Sequence, residues 1–249
     1  MRGIRHALYH IGSRAVRAFL LRTRIYGIRN IPKRGPAILV GNHEGSYGPV
    51  ALITGIASPL RPWVVRHITE RGSAPAYIRA DFVEKELRLK GPVAAALSFI
   101  IGRICVALMK HIGAIPVYRN SRFLGRTIEL SIEALDRGEI LAIFPEIRGS
   151  EEGKPFGRFD TGFARLAKMY FERTGRGVDI VPIAVNRRRR TICAAPPLRL
   201  CPERPYLQER ERLRVEVEER VLALHQGMGS AREAREILEF EPISKVGYF

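Results

Sequence analysis

Short apolar runs, each bounded by glycine, proline or a polar cluster, alternate along the middle of the chain with longer segments whose apolar residues recur every turn of a helix. The short runs predict strands at 37–40, 62–65, 115–118, 140–144 and 180–185. The longer segments predict helices at 48–57, 122–136, 160–173 and 207–225. Strands alternating with helices imply an α/β domain, a mixed and mostly parallel sheet flanked by helices. No internal repeat and no low-complexity linker divides it.

Two further segments carry an apolar pattern. Over 4–19, Ile4, Ala7, Leu8, Ile11, Ala15, Ala18 and Phe19 fall on one stripe of a helix, with Arg2, His6, His10, Ser13 and Arg17 opposite. A basic amphipathic helix of this kind suits either the headgroup region of a bilayer or the protein's own core. The second segment, 92–109, is almost wholly apolar but is interrupted by Arg103. A spanning helix needs about 20 largely apolar residues, so the charge favours a buried or membrane-grazing helix. The chain is thus divided into a basic amphipathic N-terminal helix at 1–29, an α/β domain at 30–204 and a helical C-terminal extension at 205–249.

Composition adds a partner class to this picture. The 249 residues are 46% hydrophobic and carry a net charge of +17, enough apolar surface for a full core and enough charge to need an anionic partner. Nine lysines and arginines precede Asn42, and the first acidic residue is Glu44. The chain has three cysteines and no Cys-x-x-Cys pair, which indicates neither a disulfide framework nor a zinc site. The opening residues lack the uninterrupted apolar core and cleavage site of a secretory signal. Nucleic acid is disfavoured as the partner. The run Arg187-Arg188-Arg189-Arg190 follows a predicted core strand directly and has no interleaved aromatics.

Three polar clusters follow predicted strands, where open α/β sheets place ligands: Asn42 to Gly48, Gly113 to Arg119, and Phe144 to Ser150. The first supplies His43, a side chain able to take a proton from a hydroxyl, a role worth about 10²- to 10⁴-fold in rate. The others supply Arg119 and Arg148, whose guanidinium forks match phosphate oxygens, with Glu146 close enough to orient Arg148 or accept from a sugar or glycerol hydroxyl. Motifs of other chemistries fail. His43-Glu44-Gly45-Ser46-Tyr47 lacks the second histidine of a zinc protease, and Glu44 to Gly48 lacks the first glycine of a nucleophile elbow.

The ordered blocks Asn42-His43, Gly113 to Arg119, Phe144-Pro145-Glu146 and Val181-Pro182-Ile183 resemble those of the glycerolipid acyltransferases, the 1-acylglycerol-3-phosphate acyltransferases and their relatives. Phe156, Gly162, Ala164 and Leu166 continue the resemblance, which covers roughly 30–200. It implies the glycerol-3-phosphate acyltransferase type of fold. It also implies transfer of a fatty acyl chain from an acyl-CoA or acyl carrier protein thioester to a hydroxyl of a lysophospholipid or related lipid, with neither metal nor bound cofactor. His43 would be the general base. Arg119, Glu146 and Arg148 would hold the phosphate-bearing acceptor, supported by Asn42, Ser46, Gly113 and Pro145. The setting implied is phospholipid biosynthesis at the cytoplasmic face of an anionic membrane. Two positions depart from the pattern. Gly48 stands where the family has an acid five residues after the histidine, and Glu146-Ile147-Arg148-Gly149-Ser150 stands for Glu-Gly-Thr-Arg-Ser. The alternative is a phospholipid-binding relative that has lost the chemistry.

Overall fold

The computed structural model describes residues 23–56, 58–118, 121–147 and 149–227. The predicted helix at 4–19, Arg119 and Arg148 lie outside these residues. Seven strands form one sheet: β1 (Arg24–Tyr26), β2 (Ala37–Gly41), β3 (Leu60–Val65), β4 (Ile115–Val117), β5 (Ile140–Ile143), β6 (Asp179–Asn186) and β7 (Thr191–Ala194), in the order β1-β7-β6-β2-β5-β3-β4. Neighbours run parallel except for the β6/β7 hairpin, whose turn is the four-arginine run. The expected mixed, mostly parallel sheet is therefore present.

Every residue of β2 is buried. Because side chains alternate across a strand, Ile38 and Val40 join one core cluster while Ala37 and Leu39 join the other. A strand apolar on both faces needs a cover on each side, which explains its continuous hydrophobic run. One face receives α4 (Ser121–Asp136), α5 (Gly162–Thr174) and α6 (Tyr206–Gly227), whose Ile132, Leu166 and Leu213 enter the first cluster. The other receives α1 (Tyr47–Gly55), whose Ala51 and Leu52 enter the second. Helix α6 places Leu213, Val217, Val221 and Leu224 in the core, and its charged flank is laced by pairs one turn apart such as Arg214–Glu218 at 2.8 Å.

The apolar run at 92–109 forms α3 (Gly91–Ile112), which packs against the short α2 (Ala74–Ile78). Its buried line is Ala94, Ser98, Gly102 and Val106. Small residues let the backbones approach, since a Cβ at Gly102 would lie 2.9 Å from the Pro75 nitrogen. Leu97, Ile101 and Cys105 flank this line and are partly buried against Ile78 and Val83, and the opposite side of α3 faces outward. Among the described residues α3 is the one helix long and apolar enough to cross a membrane by length and composition.

Candidate functional site

Strands β2, β5 and β6 lie side by side and parallel, so the segments that follow them emerge at the same edge of the sheet. That brings together the first cluster after β2, the third after β5 and the arginine turn after β6. The second cluster divides differently. Tyr118 follows β4 at this edge, whereas Gly113 precedes β4 and closes the C-terminus of α3 with φ +67°, beside the Arg61 side chain. Gly113 thus serves helix termination, the use of a left-handed glycine.

Asn42 is fully buried and cannot touch a ligand. Its amide nitrogen donates to the Val185 carbonyl at 2.8 Å and its oxygen accepts from the Val185 N–H at 2.7 Å. This paired contact continues the β2–β6 ladder beyond the strand end and fixes the residue that follows, His43. The His43 ring is half-buried and meets the edge of Phe144, with centroids 5.4 Å apart. The His43 backbone N–H donates to Glu146 Oε1. The first and third clusters are therefore joined directly, through the backbone of one and the carboxylate of the other.

Glu146 is held from the far side as well. It bridges Phe159, and the Ile147 N–H donates to the Arg158 carbonyl at 2.9 Å, so 145–147 is paired with 157–160. Buried Pro145 lies at the turn into this pairing, its carbonyl accepting from Asp160 N–H at 2.8 Å. Burial pushes the Glu146 carboxyl above its ordinary range, and the backbone N–H groups of His43 and Gly157 oppose that only in part. The charges of Glu44 and Glu151 push the same way as burial.

A folded state that raises a carboxyl's pKa holds the proton more tightly than the unfolded chain. Its contribution to stability is then complete below the ordinary value near 4.5 and is lost as pH rises through the raised value. Replacing Glu146 with glutamine removes this titration, so the variant's melting temperature, relative to the parent's, should climb from about pH 4 towards neutrality and then level off. Each 1 kcal/mol corresponds to about 2–4 °C in a chain of this size. Thermal melts of both proteins across that range check it. A difference that does not change with pH would mean that burial does not disfavour the ionised carboxylate.

Three pairings at this site escaped the sequence. Glu86, from the segment that leads into α3, accepts from the Ser46 hydroxyl at 2.9 Å and from the Ser46 backbone N–H at 3.2 Å. Arg187 Nη1 lies 3.9 Å from the same carboxylate. His225, near the end of α6, places Nε2 3.0 Å from Glu44 Oε1. Glu44 and Gly45 both take positive φ, 48° and 64°, so the loop after His43 turns sharply and is pinned at both acids. No spacing in the sequence announces these pairings, because each joins segments far apart in the chain.

Gly48 lies in the first turn of α1, directly over the His43 backbone. A Cβ there would sit 2.1 Å from the His43 carbonyl oxygen and 3.4 Å from that of Asn42. The position at which the glycerolipid pattern has an acid is closed by main chain. Among the described residues no cluster of His, Cys, Asp and Glu could hold a metal ion.

Comparisons with curated proteins and with solved structures give no match. A family match begins beyond Asn42 and His43 and takes in the second, third and fourth blocks. Residues 83–186, from the start of the segment carrying Glu86 to the end of β6, match the family model for acyltransferases, which supports acyl transfer as the general activity of the chain.

Proposed function

We propose that this chain moves a fatty acyl group from a thioester donor, acyl-CoA or acyl carrier protein, to a hydroxyl of a lysophospholipid or related phosphate-bearing lipid, with His43 as the general base. The observation that carries the reading is the union of His43 and Glu146 at the carboxyl edge of the sheet, inside a chain whose 83–186 match an acyltransferase model. His43 takes the proton of the acceptor hydroxyl as its oxygen attacks the thioester carbonyl. The new C–O bond forms, the C–S bond breaks, and the proton passes to the departing thiolate. Glu146 acts through the backbone of His43, and in this reading Arg119, Glu146 and Arg148 are the residues that hold the phosphate-bearing acceptor. The acceptor is met at an anionic membrane surface on the cytoplasmic side, in phospholipid biosynthesis.

The purified chain on anionic vesicles, given acyl-CoA and acyl carrier protein donors against a panel of lysophospholipids, should form the diacyl product from one donor class. Thiol release without a lipid product would redirect the reading to thioester hydrolysis. Vesicle binding without either would leave a lipid-binding protein.

A further inference from the structure

Most of the outward side of α3 is apolar. Val93, Ile100 and Ile104 are 66%, 57% and 61% exposed, and Phe99 and Leu108 about as much. The charge that interrupts the run in sequence leaves a continuous apolar line beside it. At about 3.6 residues per turn, Arg103 and Lys110 fall on one line of the helix, between Phe99 and the line through Val93, Ile100, Ile104 and Ala107. The Arg103 guanidinium lies 5.7 Å from the centre of the Phe99 ring. An exposed apolar face that carries long cationic side chains, able to reach back to the headgroups, is the pattern of a helix lying in a bilayer interface.

Charge continues from the N-terminal end of the stripe. Lys85, Arg88 and Lys90 are exposed immediately before α3, among the exposed Leu87 and Leu89. The two acids of that segment are already engaged: Glu84 with Arg79 at 2.7 Å, Glu86 with Ser46 and Arg187. Arg187 belongs to the exposed β6/β7 turn that carries Arg188, Arg189 and Arg190. Glu86 therefore ties three things together: the approach to α3, the arginine turn and the loop after His43.

We propose that the outer side of α3 and the arginine turn form a single docking surface for an anionic phospholipid bilayer, with α3 lying in the plane of the interface. The loop after His43 lies between them at the level of the headgroups. This rests on the reading above only in giving the surface a purpose, since vesicle docking is read without any acyl transfer. The bilayer is favoured over a second copy of the chain because α3 carries the cations Arg103 and Lys110 and no acid. Two such faces would repel each other, whereas each cation near an anionic surface adds about 1 kcal/mol of attraction.

The chain has a single tryptophan, Trp63, whose Nε1 donates to Ser131 inside the fold, so new tryptophans report their own surroundings. Val93→Trp, Ile100→Trp and Leu108→Trp variants should each be quenched by lipids brominated high on the acyl chain, at one common depth of about 5–10 Å below the headgroups. Ile100→Glu/Ile104→Glu should lower partition onto phosphatidylglycerol vesicles at least tenfold at every salt concentration. Arg188→Glu/Arg189→Glu should lower it as much at low salt and little at high salt. Circular dichroism melts, unchanged in both, show that the fold is intact. A profile deepest at Ile100 and shallow at both ends would overturn the in-plane placement in favour of a span. Absence of quenching, or self-association abolished by the double glutamate variant, would overturn docking on lipid altogether. Transfer to a water-soluble acceptor, retained while vesicle binding is lost, would separate failure of docking from failure of the acyltransferase reading.

Discussion

Replacing His43 with alanine is expected to lower acyl transfer by about 10²- to 10⁴-fold while leaving the fold in place. The histidine is held by its main chain. Asn42 on one side grips both polar groups of Val185, and the His43 N–H donates to Glu146. An alanine keeps both contacts. Among what it loses is the ring's edge contact with Phe144, worth about 0.5–1.5 kcal/mol. The loss of rate should therefore appear in kcat, with the acceptor KM little changed, because the proposed reading gives the acceptor's phosphate to other groups. Steady-state kinetics alongside a thermal melt read both quantities. A parental kcat in the alanine variant would remove His43 from the chemistry, and a collapsed melt would make it a residue of the fold.

How much of this site could be read from the sequence depended on where each contact lies. The central strands were legible because they are buried on both faces, so Ala37–Gly41, Ile140–Ile143 and Asp179–Asn186 are apolar runs with sharp polar ends. The clusters that follow them were legible for the same reason: parallel neighbours must release their ends at one edge. Strands β1 and β7 were not, being three and four residues long and set beside runs of arginine that hide the period. Glu86 was hidden more deeply. In Lys85-Glu86-Leu87-Arg88 it reads as one charge of a solvated segment, and only the fold reveals that it caps the turn after His43. His225 belongs to a helix whose sequence shows ion pairs and an apolar stripe, and nothing there points to Glu44. Arg103 breaks the apolar run in one dimension, but once the helix is wound it leaves a continuous apolar line beside it.

Gly48 was visible in the sequence only as a missing carboxylate, and the structure gives it a different meaning. Substituting aspartate there, which restores the acid of the glycerolipid pattern, is expected to impair the protein. The added Cβ would stand 2.1 Å from the His43 carbonyl oxygen and 2.9 Å from its carbon, both main-chain atoms at the point where the loop enters α1. Neither can give way as the tip of a flexible side chain would. Relief requires moving the backbone of His43 itself, or α1 with its buried Ala51 and Leu52. Overpacking of this kind costs about 1–3 kcal/mol, and an ionised carboxylate at a buried position adds a desolvation cost to that. Gly48→Ala separates the two contributions, since it introduces the Cβ without the charge. Both variants should melt below the parent, aspartate lower than alanine, and both should transfer acyl groups more slowly, because displacing the His43 carbonyl shifts the base relative to the acceptor. A Gly48→Asp protein that melts with the parent and outpaces it would show that the loop opens readily and that a carboxylate at 48 can orient His43. A loss in both variants would establish that the main chain of His43 leaves no room for a side chain at 48, in a loop that Glu146 and Glu86 pin by hydrogen bonds.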